Sequence, residues 1–422
     1  LTAALLFLSY PTCGVAATTD YGAMLERAIG RLPSGSLVAA IVRDPQGNDL
    51  LSVNAGQLLT PASTQKVLTA TAAYSQLGPH FRFRTVIDGT KDNDVIVRFS
   101  GDPLLKREDL RALLAQAQAS GMSATIRDLY LDDSTFSGHD WSDAQSWDNR
   151  NTCFAAPAAA VSLDHNCFKA TVDSGRVGTK ARASVPSGLP LAIESQAVIV
   201  SAAEKKRLFC NPQLRHLQRG RYQLHGCVTP AQLPLTLKVA IVDPLHYVHS
   251  AIREDAAALG ITIEGSILRG APAAQSRMLA EHRSRSLGHY LERMLQRSDN
   301  QIADALFKTI GHSYHQVPGN YRNGAAAVRD VLQEKAGINL HNSYLADGSG
   351  LSPHNQVTVS NLVDTLAHIS SMPDGDILDA LPLAGVSGTL RYRYGFNQRP
   401  LKGNIRAKTG HLAGHYNLAG YL

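Results

Sequence analysis

Three short motifs whose side chains could together run acyl transfer lie in one order along the chain: Ser63-Thr64-Gln65-Lys66, Ser298-Asp299-Asn300 and Lys408-Thr409-Gly410. A serine hydroxyl is a poor nucleophile until a base takes its proton. Residues three apart on a helix share a face, so Lys66 falls beside Ser63 one turn on. It can act as that base where a dry or cationic setting lowers its pKa. The second motif interrupts a helical pattern between Arg297 and Gln301, as a loop would. There Ser298 can relay a proton to a leaving nitrogen, and Asn300 can hold Lys66 and a substrate amide. In the third motif, on a strand, Lys408 and Gly410 share a face. Lys408 would face a cleft, the Thr409 hydroxyl would help bind a terminal carboxylate, and Gly410 would let an extended backbone approach. The backbone N–H groups of Ser63 and His411 would then form an oxyanion hole.

Each motif is weak alone. Serine with lysine three residues on arises by chance about once in a chain of this size. A second Ser-x-Asn stands at Ser52-Val53-Asn54, in a strand-like run ahead of the nucleophile. The order of all three carries the specificity, because it belongs to serines that form acyl-enzymes.

These groups need a helix, a side loop and an edge strand. Thr60 is expected as a helix N-cap and Pro61 as its first residue, with Val67, Leu68, Ala70 and Tyr74 as the apolar stripe and Gly78-Pro79 as the stop. Ser63 then sits in the first turn, where free N–H groups and the helix dipole favour a developing anion. Ahead of it, apolar runs at 37–42 and 49–53 flank an Asp44-Pro45-Gln46-Gly47 turn. From about His80 to Gln275 short strand-like runs recur, at 81–86, 95–99, 126–131, 197–200, 233–242 and 261–268. Helical stretches at 107–120 and 247–259 interrupt them. From about Arg277 helices dominate, at 287–295, 301–310, 323–335 and 360–369, before two strands at 405–409 and 416–422. An antiparallel sheet would want further strands after Leu422, so the C-terminus is read as clipped.

The chain has 422 residues and a net charge of +6, which allows two or three domains and a large core. The positive balance suits work near an anionic polymer such as a cell wall. Nucleic acid is not expected, because no basic cluster comes with stacking aromatics. The densest basic run, Lys205-Lys206-Arg207, reads as a solvated loop. Leu1–Leu8 followed by the small residues Gly14–Ala17 reads as a clipped secretory signal with cleavage after Ala17. Cys13 makes a poor lipidation site, and no run is long enough to span a bilayer, so membrane association is peripheral at most. Export makes disulfides available to the four remaining cysteines. Of three pairings, Cys153–Cys167 and Cys210–Cys227 are favoured because each closes a short loop inside one segment. No Cys-x-x-Cys occurs, and His312 with His315 lacks further ligands, so neither a metal nor a cofactor is expected.

With the motifs placed, the chain resembles the class C low-molecular-mass penicillin-binding proteins, periplasmic D-alanyl-D-alanine carboxypeptidases/endopeptidases with inserted domains. Further blocks carry the resemblance: Gly101-Asp102-Pro103, Asp164-His165-Asn166-Cys167-Phe168, Ser298–Asp304, Asp347–Ser352, Leu381–Gly385 and Tyr416–Tyr421. It implies an α+β fold, with an antiparallel sheet flanked by helices, formed by residues 18–78 and 276–422. The insert, 79–275, would be two nested domains of mostly β and mixed character. It implies Ser63 as acyl-ester nucleophile, Lys66 as proton acceptor, Ser298 and Asn300 as side loop, and Lys408 and Thr409 as carboxylate binders. Asp164 and Phe168 would help recognise the stem peptide. Peptidoglycan peptides and β-lactams are the expected partners, a homodimer is compatible, and the periplasm is the expected location.

Four positions depart from the family pattern: His411 in place of Ser or Thr, Pro353 in place of Arg, Ser387 in place of Asp, and the chain end itself. His411, Pro353 and the chain end motivate a second reading, a catalytically impaired peptidoglycan-binding homologue. A β-lactamase of class A type would need a Glu followed four residues on by Asn between Asn300 and Lys408. None is found; Glu334 is followed at that spacing by Ile338.

Overall fold

Helices form where apolar residues recur at helical spacing. Leu287–Arg297 buries Leu287, Tyr290, Leu291, Met294 and Leu295, the i, i+3, i+4, i+7, i+8 series of one face. Val359–Ser371 starts at Thr358, whose hydroxyl accepts from the N–H of Asn361 while the Asn361 side chain reaches back to the cap. The computed structural model describes residues 20–422 apart from Asp374. The expected signal segment, with Cys13, lies outside the described residues.

The chain divides into two compact units. The first comprises residues 20–80, Leu287–Asp299 and Gly324–Leu422. It holds two antiparallel strand pairs, Ala40–Arg43 with Asp49–Val53 and Arg406–Leu412 with His415–Tyr421. Around them pack the helices Gln65–Leu77, Leu287–Arg297 and Val359–Ser371. In the second strand pair, Lys408 stands opposite Ala419 and Gly410 opposite Asn417. The Tyr421 hydroxyl donates to Leu366 O at 2.7 Å, fixing that pair to the Val359–Ser371 helix.

The second unit comprises Phe81–Ser286 and Asn300–Asn323. Its main sheet has five strands in the order Ile267–Arg269, Leu129–Asp132, Val95–Arg98, Arg84–Thr90, Ser276–Arg283. The first two pairings are parallel and the last two antiparallel. The helices Arg107–Ala119 and Pro244–Ala258 cover it, burying Leu110, Leu113, Val248 and Ile252 against Ile87, Val97 and Leu131. A separate small core gathers Val172, Ala181, Ile199, Leu224 and Val228. The mixed α+β class matches the expectation. Ser276–Arg283 pairs along Arg84–Thr90 and lies in this second unit.

Both expected disulfides are present, with Cα–Cα separations of 5.3 Å for Cys153–Cys167 and 5.6 Å for Cys210–Cys227. They span 14 and 17 residues. Closing loops of that length restricts the unfolded chain by about 3 kcal/mol each. The Cys153→Ser/Cys167→Ser variant is therefore expected to lose about 2–3 kcal/mol of stability. A lowered denaturant midpoint checks this, and an unchanged midpoint contradicts it.

Candidate active site

Between Thr60 and Ala73 every residue is buried except Ser63. The reason is local. Ala62–Thr64 forms a 3-10 turn, and the α-helix runs from Gln65 to Leu77. Ala62 takes a positive φ of 46°, an uncommon conformation for a residue with a Cβ. The expected cap is not used: the Thr60 hydroxyl points to Pro353 O at 3.4 Å, while the Thr64 hydroxyl donates to Pro61 O at 2.7 Å. A left-handed Ala62 removes the cap geometry that Thr60 would need, so the helix starts later than its sequence suggests.

Lys66 is fully buried. Its Nζ lies 3.0 Å from Ser63 Oγ and donates to Ser349 O at 2.5 Å. The loop that supplies Ser349 is anchored on one fully buried carboxylate. Asp347 accepts from the N–H of Gly350 and of Ser352, each at 2.7 Å, and from Asn355 Nδ2 at 2.8 Å. Thr69 of the nucleophile helix donates to Gly348 O at 2.7 Å, which ties loop to helix. Gly350 has φ +76°, and a Cβ there would fall 1.8 Å from Ala62 O. The Asp347–Ser352 block was visible in the sequence only as part of a resemblance. Its physical task, presenting a carbonyl to Lys66, was missed. The clustering of Asp, Ser and Gly was the available signal for a tight turn.

Lys408 is the second fully buried lysine. Its Nζ donates to Ser298 Oγ at 2.9 Å and to Thr409 O at 2.7 Å, with no carboxylate partner among the described residues. Burial pushes its pKa well below the ordinary lysine range, and the charges of Lys66 and Arg393 push the same way. Ser298 itself has φ +56°, the kink between helices Leu287–Arg297 and Asn300–His315. Arg293 Nε donates to the Asp299 carboxylate at 3.2 Å. Thr409 Oγ1 lies 3.0 Å from Thr389 Oγ1. The structure thus links Ser63 with Lys66 and Ser298 with Lys408 within one unit.

Gly410 does more than leave room for a substrate. A Cβ there would meet Pro61 O at 2.6 Å and Thr64 N at 3.2 Å, so the strand lies flush against the nucleophile turn. His411 is exposed, its ring 4.8 Å from that of Tyr416. Asn300 opens a helix of the second unit, and its Nδ2 donates to Phe154 O at 2.7 Å. Asp164 and Phe168 also lie in the second unit. The Asp164 carboxylate accepts from Tyr247 Oη at 2.8 Å and from Arg107 N at 3.0 Å. Phe168 is buried edge-on against Tyr222, ring centroids 5.2 Å apart. The two side chains line a shallow hollow of about 380 Å³ and are engaged in the insert's own packing.

A serine on a helix start, a buried lysine beside it and a second buried lysine on a strand of the same unit are an arrangement that could carry serine chemistry in an α+β fold. Residues 23–422 match the model of the D-Ala-D-Ala carboxypeptidase 3 (S13) family, and the chain belongs to that family. It is a serine-type D-Ala-D-Ala carboxypeptidase. A D-alanyl-D-alanine carboxypeptidase of Haemophilus influenzae is 36% identical over 402 residues, covering 93% of this chain and 83% of that one. A D-alanyl-D-alanine carboxypeptidase of an Actinomadura species is 29% identical over 92% of this chain and 75% of that one. The crystal structure of penicillin binding protein 4 from Haemophilus influenzae superposes with a TM-score of 0.88 at 36% identity, covering 94% of this chain and 89% of that chain. A structure of the same protein complexed with a β-lactam gives 0.83 at 34% identity over the same shares.

The packing at Gly410 makes a direct prediction. In Gly410→Ala the strand must retreat from the nucleophile turn, and a shift approaching 1 Å costs on the order of 10²-fold in rate. The expected outcome is a fall of about that size in kcat with the protein still folded, measured by D-alanine release and circular dichroism. Undiminished kcat would show that the turn tolerates the displacement.

Proposed function

We propose that the chain hydrolyses peptidoglycan stem peptides ending in D-Ala-D-Ala, and D-alanyl cross-links, through an acyl-enzyme on Ser63 that penicillins trap. The observation that carries this reading is the 3.0 Å approach of Lys66 Nζ to Ser63 Oγ in a buried setting. Lys66 takes the serine proton as Oγ adds to the penultimate D-alanine carbonyl. The carbonyl oxygen becomes an oxyanion, which the backbone N–H groups of Ser63 and His411 stabilise. Ser298 passes a proton to the departing amine, and D-alanine leaves. Water then adds to the ester and regenerates Ser63. Lys408 and Thr409 hold the terminal carboxylate, and Asn300 completes the set by its place in the motif.

The periplasm is the compartment that fits: the substrate is there, the two disulfides are compatible with it, and no helix among the described residues is long and apolar enough to cross a membrane. The impaired-homologue reading draws on His411 and Pro353, of which His411 would contribute only its backbone N–H. Intact Ser63, Lys66, Ser298 and Lys408 favour the active enzyme.

A fluorescent penicillin is expected to label the protein stoichiometrically and to persist for many turnover times of the peptide reaction, whereas Ser63→Ala takes no label. Labelling of that variant, or rapid release of hydrolysed penicillin from the wild type, would overturn the assignment.

Lys408 sets a pH dependence. A carboxylate arriving beside it favours its charged form and raises its depressed pKa, so binding takes up a proton. The KM of a peptide ending in a free carboxylate should therefore rise with pH above the depressed folded pKa, by up to about tenfold per unit. The D-alaninamide analogue should lack that rise. Parallel KM profiles for the two peptides would remove Lys408 from carboxylate binding.

A further inference from the structure

The second unit contains a hollow of about 650 Å³ formed entirely by its own residues. Its wall carries polar groups that the fold leaves unmatched. Asp133 is neutralised by Arg269 at 2.8 Å, and Asp243 accepts from His246 N at 3.0 Å as a helix cap. Asp140 differs. Its carboxylate has no hydrogen bond and no ion pair among the described residues, although it is half-buried and burial pushes its pKa up. Arg150 has no carboxylate partner either. Its guanidinium lies 5.2 Å from the centroid of the Trp141 ring, and the indole is fixed by Nε1 donating to Ala155 O at 2.8 Å.

The wall is also unusually well fastened. Lys308 is fully buried and donates to His139 O and Ala158 O, each at 2.8 Å, with its ammonium 4.5 Å from the Tyr321 ring centroid. Burial lowers its pKa to about 8. The backbone of Asp140 is pinned from the same side, its carbonyl accepting from Ala158 N at 2.9 Å and Tyr321 Oη at 3.3 Å. Burying an ammonium to steady two loop carbonyls is costly, and one of them belongs to His139, which lines the hollow, while the other belongs to Ala158, next to the lining residue Ala159.

We propose that this hollow is a saccharide-binding site that takes the glycan portion of peptidoglycan, a role that rests on the substrate reading above. The groups without a hydrogen-bonded partner are one carboxylate, whose charge Lys308 and Arg269 already offset, and one guanidinium with a hydrogen-bonding edge to spare, so a neutral polar ligand suits them. It must donate to Asp140 and accept from Arg150, which a ring hydroxyl and its neighbour do together. Trp141 supplies the apolar ring surface that the C–H face of a sugar covers. A free divalent cation does not fit, since no three acidic or histidine side chains converge among the described residues. A hollow of this volume falls in the range of small-ligand sites. Occupancy by the glycan would raise the local concentration of the attached stem peptides.

The test is calorimetric titration of the full chain with a peptide-free tetrasaccharide of alternating N-acetylglucosamine and N-acetylmuramic acid whose lactyl carboxyls are capped as simple amides, so that the probe is neutral. Asp140→Asn keeps the side-chain shape, and Arg150→Ala changes an exposed residue. Saturable binding to the wild type is expected, weakened about tenfold or more in each variant. Both variants should keep penicillin labelling at Ser63, which also reports that they are folded. No binding by the wild type overturns the proposal. So does unchanged affinity in Arg150→Ala, or tighter binding of a free stem peptide that both substitutions abolish. Absence of Ser63 labelling in a wild type that still binds the tetrasaccharide would refute the enzyme reading and leave the sugar site standing.

Discussion

Two buried lysines act on one another, Lys408 with no carboxylate partner among the described residues, and the rest of the first unit is arranged around that fact. Lys66 and Lys408 are both fully buried; Ser63 Oγ and Ser349 O are among the groups that meet the first, and Ser298 Oγ and Thr409 O accept from the second. Burial, with the charges of Lys66 and Arg393, favours loss of the Lys408 proton. On the proposed reading, a neutral amine beside Ser63 would serve as general base, and a carboxylate arriving beside Lys408 would restore the charge that anchors it.

Holding this arrangement requires rigid, non-local supports. Asp347 sits far along the chain from Ser63, yet its carboxylate organises the loop whose carbonyl receives Lys66. Losing that carboxylate would leave several buried N–H groups unpaired at once, a penalty of roughly 1–3 kcal/mol for each. The close approaches of Gly350 to Ala62 O and of Gly410 to Pro61 O seat loop, turn and strand against one another. The strained φ of Ala62 is over-determined by these contacts, which is how an unfavourable backbone conformation persists at a reactive serine.

The legible part of the site is the part with short sequence period. Ser63 and Lys66 share a helical turn, and Lys408 and Gly410 share a strand face, so their relations follow from local geometry. The helices starting at Leu287, Asn300, Tyr321 and Val359 were placed within a few residues because their apolar spacing is strong. The insert was less legible. Ser276–Arg283 belongs to its sheet through pairing with Arg84–Thr90, nearly two hundred residues earlier, and no local pattern announces such a partner. Gln213–His216 and Arg221–His225 are short, polar strands whose pairing gives them structure that composition does not suggest. The failure at Thr60 has the same origin: a good cap residue was overruled by a tertiary contact with Pro353 O and by the left-handed Ala62.

That contact changes the meaning of Pro353. A family arginine at this position would bring a cation to the cleft, and the proline brings only a carbonyl that meets Thr60. Positive charge is nevertheless supplied from another loop. Arg393 lies over the Phe396 ring, 6.0 Å from its centroid, has no carboxylate partner among the described residues, and acts on Lys408. Burial and the charges of Lys66 and Arg393 together press on Lys408. On the proposed reading, a substrate carboxylate would relieve that field and an amidated peptide end would not. Selectivity for a free carboxylate would then come from the cost of the empty site as much as from the contacts of the full one.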